Sequence, residues 1–137
     1  MNQRVLIEKN YLRIPIRKDA VEKNVWLYQE LTAVLQFQAG LFVDYGSGAP
    51  DFYAELPVER WKGSVLTFVH EEDRPVPFLQ SDELLPNTEP FQPWIHFAPK
   101  SGWMNDVCGA CWYQGSYHLY FQHNPFGVQW NNMSWGH

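Results

Sequence analysis

Between Asn10 and His70 the chain alternates apolar and polar side chains with a period of two. Leu35, Phe37, Ala39 and Leu41 are separated by Gln36, Gln38 and Gly40, and Phe52, Ala54, Leu56 and Val58 by Tyr53, Glu55 and Pro57. Successive side chains of a strand point to opposite faces, so this pattern predicts strands with one buried face. A helix over residues 19–38 competes for part of the stretch, because Glu30-Leu31-Thr32-Ala33-Val34-Leu35 has fair helix propensity. The alternation and the β-rich flanks favour strands. Gly46-Ser47-Gly48-Ala49-Pro50-Asp51 and Trp61-Lys62-Gly63-Ser64 supply turn chemistry. Strands joined by such loops predict a small antiparallel β-sandwich over residues 1–72.

The pattern breaks between Glu71 and Pro93. Pro75, Pro77, Pro86, Pro90 and Pro93 fall there beside Glu71, Glu72, Asp73, Asp82, Glu83 and Glu89. Proline at this density fixes φ and removes backbone donors, so residues 73–92 read as a linker ordered against a neighbour. Beyond it, Trp112 to Phe121 read as a β-hairpin with aromatic arms and a turn containing Gln114-Gly115-Ser116. No further element is predicted between this hairpin and His137. The expected class is all-β, with a third unit over residues 93–137.

Composition narrows the function. A chain of 137 residues and 16.1 kDa is too short to build a large catalytic barrel by itself. With 45% hydrophobic and 18% charged residues it can bury a core. Aromatic residues reach 17%, and Trp94, Trp103, Trp112, Trp130 and Trp135 all follow residue 90, a density that suits a ligand surface or an opened core. The formal charge is −5, without a Lys/Arg cluster, which argues against nucleic acid as a partner. The N-terminus shows no signal-peptide pattern and no apolar run approaches the ~20 residues of a membrane span, so no membrane partner is expected and the compartment stays undetermined. The 2 cysteines are too few for a disulfide scaffold.

The candidate chemistry lies in the last third. Read singly, Asp106 after Asn105 is an ordinary turn former, Gln122 a polar residue on a strand face, and Trp130 and Trp135 core residues. Read together they fall in three ordered blocks: Pro93 to Gly109, which contains Trp103-Met104-Asn105-Asp106-Val107-Cys108-Gly109; Tyr117 to Gly127; and Trp130-Asn131-Asn132-Met133-Ser134-Trp135-Gly136-His137. These blocks resemble, in order and spacing, the opening of glycoside hydrolase family 32, the invertase, inulinase and levanase group. The resemblance implies a five-bladed β-propeller of which this chain holds at most the first blade, at roughly four strands per blade. It also implies retaining hydrolysis of fructosyl linkages in sucrose, levan or inulin, with Asp106 as the nucleophile. Asn105, Gln122 and Trp130 would bind the fructose, and Trp103 and Met104 would wall the pocket. Amide groups and an indole N–H suit sugar hydroxyls.

Two positions depart from the family hallmark W-M-N-D-P-N-G. Val107 replaces proline and keeps an extended backbone. Cys108 replaces asparagine, removing an amide that could orient the loop around Asp106, and creates Cys108-Gly109-Ala110-Cys111. On a regular strand positions i and i+3 face opposite sides, which disfavours a redox or metal pair. The spacing of His70, His96, His118, His123 and His137 matches no ligand pattern. Neither a metal nor another cofactor is expected.

A second resemblance, carried by Tyr11-Leu12-Arg13-Ile14-Pro15-Ile16, Pro50 to Val58 and Trp61-Lys62-Gly63, is to the β-sandwich module that precedes the catalytic domain of some bacterial levanases. The Arg-Asp-Pro and Glu-Cys blocks of the family are absent, and no acidic residue follows Asp106. The expectation is the N-terminal part of a β-fructosidase, inactive alone, whose partners are a fructose-containing saccharide and the remaining propeller. The competing reading is a carbohydrate-binding or interaction module, or a gene remnant.

Overall fold

The computed structural model describes residues 1–43, 46, 48–86 and 96–137. The end of the expected linker and the start of the third unit, at residues 87–95, lie outside the described residues, as does Ser47 of the first expected turn. The described residues contain no α-helix; they form ten strands in three sheets, every pairing antiparallel.

The first sheet has the order β1 (Asn2–Leu6), β6 (Val65–His70), β3 (Lys23–Gln29), β4 (Thr32–Ala39). The second has the order β5 (Phe52–Pro57), β2 (Tyr11–Ile16), β7 (Leu79–Ser81). Strand, and not helix, is what forms over residues 23–39, because the period-two positions Val25, Leu27, Phe37 and Ala39 put their side chains into one core. That core also takes Leu66 and Phe68 from β6, Leu12, Ile14 and Ile16 from β2, and Ala54 from β5. Inward residues of both sheets therefore fill one cluster.

Several details differ from the sequence pattern. Gly40, read as an outward position, is buried, since a Cβ there would meet Arg17 O at 2.6 Å and Ala20 O at 2.8 Å. The chain crosses between the sheets at this point: Arg17 N–H donates to Gly40 O at 2.8 Å and Phe42 N–H to Pro15 O at 2.9 Å. Trp61 belongs to a 3₁₀ turn (Glu59–Trp61), is buried, and donates from Nε1 to Gln29 Oε1 at 3.1 Å. The turn itself comes at Gly63, at φ +84°.

Strand β1 was not expected, because its half-buried Gln3 breaks the apolar pattern. The Gln3 amide acts as a surrogate peptide: Nε2 donates to Val76 O and Val76 N–H donates to Oε1, both at 2.9 Å. The first part of the segment read as a linker is likewise built into the sheets. Val76 is buried, β7 pairs with β2, and Leu85 N–H donates to Glu55 Oε1 at 2.7 Å. Prolines 75, 77 and 86 flank these contacts, so the composition that reads as a linker marks a strap laid along the edge strand.

His70 sits on the inward face of β6, 2% exposed, with neither ring nitrogen hydrogen-bonded. Burial disfavours the imidazolium and holds its pKa below the ordinary 6.5. The unfolded chain therefore takes up the proton first as pH falls. The contribution of this group to stability is complete above pH 6.5 and declines on acidification toward the lower folded pKa. Denaturant midpoints measured across this window are expected to fall with pH, and His70→Phe is expected to flatten that part of the dependence.

Candidate functional site

The third sheet has the order β10 (Ser134–Gly136), β9 (Ser116–Asn124), β8 (Trp103–Tyr113). Strands β8 and β9 form the expected hairpin, closed by Gln114 and Gly115 at φ +49° and +83°. Two left-handed residues in a two-residue loop match the twist of the flanking strands. Strand β10 was not expected; three residues are too few to show a period. It fits because Gly136 lies under the Phe121 ring, where a Cβ would come within 2.1 Å of the ring. Phe97 covers Phe121 as well, with ring centroids 4.9 Å apart.

The register of β8 on β9 slips twice. Trp103 pairs with Asn124 and Met104 with His123, but the next pairs are Val107 with Phe121 and Gly109 with Tyr120. Each slip inserts an unpaired residue in β8, and both fall within Asn105-Asp106-Val107-Cys108. All four residues are exposed, as are Ala110 to Tyr113 where the pairing is regular, and the bulges add a local break in the ladder. β8 is also the outer strand of its sheet. The hallmark carboxylate thus stands on an irregular, open edge.

The site residues read from sequence are only partly brought together. Asn105 Nδ2 donates to Gln122 Oε1 across the hairpin at 3.4 Å, and Asp106 follows Asn105 along the bulge. Trp103 and Met104 are half-buried at the base of β8. Trp130 is on a different element, the β9–β10 connection, 69% exposed, and among the described residues it makes no hydrogen bond or ring contact. Clefts of about 330 Å³ are lined by Arg17, Lys23, Phe42 and Glu72, or by Arg4, Gln29 and Thr67, in the first two sheets and away from Asp106.

Cys108 and Cys111 are exposed free thiols, and Cys108 Sγ lies 3.7 Å from Asp106 O. The assumption of a regular strand made for this pair does not hold at Cys108, which occupies the second bulge. Among the described residues no three His, Cys, Asp or Glu side chains are grouped to hold a metal ion. His118 and His137 share a 2.9 Å contact between ring nitrogens, and His137 stacks on Tyr120.

Sequence reasoning missed Asn124, the fully buried polar residue at the end of β9. Its Nδ2 donates to Gln129 O at 2.9 Å, while its Oδ1 accepts from Phe126 N–H and Asn132 Nδ2, both at 3.0 Å. This one amide folds the connection that carries Trp130. The only signal in the sequence is the run of asparagines at 124, 131 and 132, a residue type that satisfies loop backbone with its own side chain.

The geometry defines an all-β chain whose third sheet displays one carboxylate on a bulged edge beside paired amides. Residues 96–137 match the glycosyl hydrolases family 32 N-terminal domain, so the C-terminal third of the chain carries the signature of that family. An extracellular exo-inulinase from Aspergillus niger is 49% identical over 49 residues, covering 36% of this chain and 9% of the relative. A levanase from Bacillus subtilis (strain 168) is also 49% identical over 49 residues, covering 36% of this chain and 7% of its own length. A sucrose-6-phosphate hydrolase from Escherichia coli is 47% identical over 47 residues, covering 34% and 10%. The matched stretch spans at most about a tenth of each of these relatives. No solved structure matches the chain.

Gly102 sets the entry into β8. It lies at φ +80°, and a Cβ there would come within 2.3 Å of Asn124 O. Gly102→Ala is expected to lower stability by about 2 kcal/mol or more, from backbone strain and overpacking together. Gly109→Ala, whose Cβ would meet nothing within 4 Å, is expected to stay within about 0.5 kcal/mol of the parent. Chemical denaturation of both variants checks the contrast.

Proposed function

We propose that this chain is the N-terminal part of a retaining β-fructosidase that hydrolyses terminal or internal fructosyl linkages of sucrose, levan or inulin. The observation that carries the reading is the position of Asp106 on the bulged edge of β8, inside the segment that matches family 32. In this reading residues 1–72 are a β-sandwich module, residues 73–92 connect it to the catalytic part, and β8, β9 and β10 begin the first blade of a five-bladed propeller.

The chemistry follows from the residue types. The Asp106 carboxylate attacks the anomeric carbon of a fructosyl unit, and the leaving oxygen departs with a proton from a second carboxyl group about 5–5.5 Å away. Water then cleaves the fructosyl ester and returns the proton to that second group. Asn105 and Gln122, already in mutual contact, hold fructose hydroxyls between their amides. Trp103 and Met104 wall the pocket, and the Trp130 indole N–H closes it from the β9–β10 connection.

No Asp or Glu lies between Val107 and His137 and no Glu-Cys block occurs, so in this reading the acid/base glutamate of the family is not supplied by this chain. Exposure of aromatics on β8, β9 and β10 supports the same reading. Trp112 is 61% exposed, Tyr117 83% and Trp135 74%, an apolar surface of the kind a neighbouring blade covers.

The purified chain is expected to release no fructose from sucrose, inulin or levan; release above background would overturn the dependence on an external carboxyl. Joined to the part of the B. subtilis levanase that follows its matching segment, the chain is expected to release fructose from levan. Asp106→Asn in that chimera should lower kcat about a thousandfold or more. Undiminished turnover by the Asn variant would remove Asp106 from the role of nucleophile.

A further inference from the structure

The β9–β10 connection is held in place by the N-terminal sheets. Because β4 is an outer strand, the outward N–H and C=O of Gln38 have no strand beside them. The side chain of Asn132 occupies that place: Gln38 N–H donates to Asn132 Oδ1 at 2.7 Å, and Asn132 Nδ2 donates to Gln38 O at 2.8 Å. The same Nδ2 reaches Asn124 Oδ1 at 3.0 Å, which joins the edge of β4 to the buried amide that folds the connection. Asn132 sits at φ +44°, a conformation asparagine tolerates better than most residues.

Three further residues of the loop lie against the first two sheets. Asn131 Nδ2 donates to Glu22 Oε2 at 2.7 Å and to Gln38 Oε1 at 2.8 Å. Phe126 is buried in the core of the first two sheets, its ring stacked on Phe37 with centroids 3.9 Å apart and planes 16° apart. At Gly127 the loop runs close to Glu22, whose Oε1 would lie 2.7 Å from an added Cβ. Both ends of the stretch from Phe126 to Asn132 are therefore pinned to strands about ninety residues earlier in the chain. Trp130 lies between the pins, exposed and without a hydrogen bond or ring contact of its own among the described residues.

We propose that the N-terminal sheets position Trp130, with Asn132 and Phe126 as the positioning residues that transmit the placement from Gln38 and Phe37. The inference rests on the reading of Trp130 as a sugar-binding residue and assigns the N-terminal module a part in building that subsite. An indole without a hydrogen bond or ring contact of its own takes its orientation from the backbone on either side, and here that backbone is clamped by another sheet.

The test uses the chimera carrying the whole chain. Asn132→Gly keeps the left-handed backbone and removes the amide, and Phe37→Leu removes the ring stack from the module side without touching the loop. Each is expected to raise KM for a short levan oligosaccharide fivefold or more while kcat stays within twofold. Leu66→Val, a core change on β6, serves as a control for lost stability and is expected to leave KM unchanged. Unchanged KM in the first two variants, or an equal rise in the control, overturns the proposal. If the parent chimera is inactive, the function reading has failed on its own. The positioning is then read in the 137-residue chain by hydrogen exchange, where Asn132→Gly is expected to speed amide exchange across residues 128–132 at least tenfold and Leu66→Val is not. Equal exchange in both variants overturns it there too.

Discussion

The contact on which the arrangement depends is Phe126 against Phe37. One ring from the C-terminal third enters a core otherwise built from the first two sheets, and stacks there at 3.9 Å. A buried phenylalanine removes apolar surface worth about 2–3 kcal/mol from water. That is enough to hold a loop against the entropy of a few ordered residues, provided the loop backbone is satisfied as well. Asn124 and Asn132 supply that satisfaction. The ring supplies apolar burial and the amides fix the direction, so the third sheet is docked on the first two and not merely tethered to them.

Sheet edges explain where the polar side chains went. An edge strand leaves alternate backbone donors and acceptors without a ladder, and proteins cover or disrupt such edges. On β4 the cover is Asn132, which pairs with both backbone groups of Gln38. On the strap around Val76 it is Gln3, which does the same for Val76. Both cases use a carboxamide as one unit of strand, since its donor and acceptor have the spacing of a peptide group. The exposed cation–carboxylate pairs are secondary. Lys9 with Asp82 at 2.6 Å is exposed, and pairs of that kind contribute little.

Much of this was readable in the alternation of residues 35–41 and 52–58, where Phe37, Ala39, Ala54 and Val58 are buried as a period of two requires. The hairpin was readable because Gly115 favours the left-handed turn that closes it. What stayed hidden has physical causes. β1 carries a glutamine on its inner side, and β7 and β10 are each three residues long. The bulges in β8 belong to the pairing of two strands, so no property of Asn105-Asp106-Val107-Cys108 alone announces them. The family resemblance located Asp106, yet only the register shows the two breaks in the ladder around it. The joint escaped because its polar members are asparagines, which in a sequence read as loop.

The open edge of β8 poses a conflict that its own irregularity answers. A strand that must present a carboxylate to a ligand cannot bury that carboxylate under another strand, yet an exposed, regular, aromatic-flanked strand invites pairing with a second chain. Two bulges in four residues interrupt the ladder a second strand would need, and Asp106 places a charge in the interruption. The irregularity around Asp106 therefore protects the edge. The part of the hairpin from Cys111 to Tyr117 has no such device, and its exposed Trp112 and Tyr117 rings meet edge to face at 4.6 Å. An apolar surface without a bulge or a charge to guard it is what a permanent neighbour would cover, whereas a bulged, charged edge is what a transient ligand would meet. The two ends of the hairpin thus differ in irregularity and in charge.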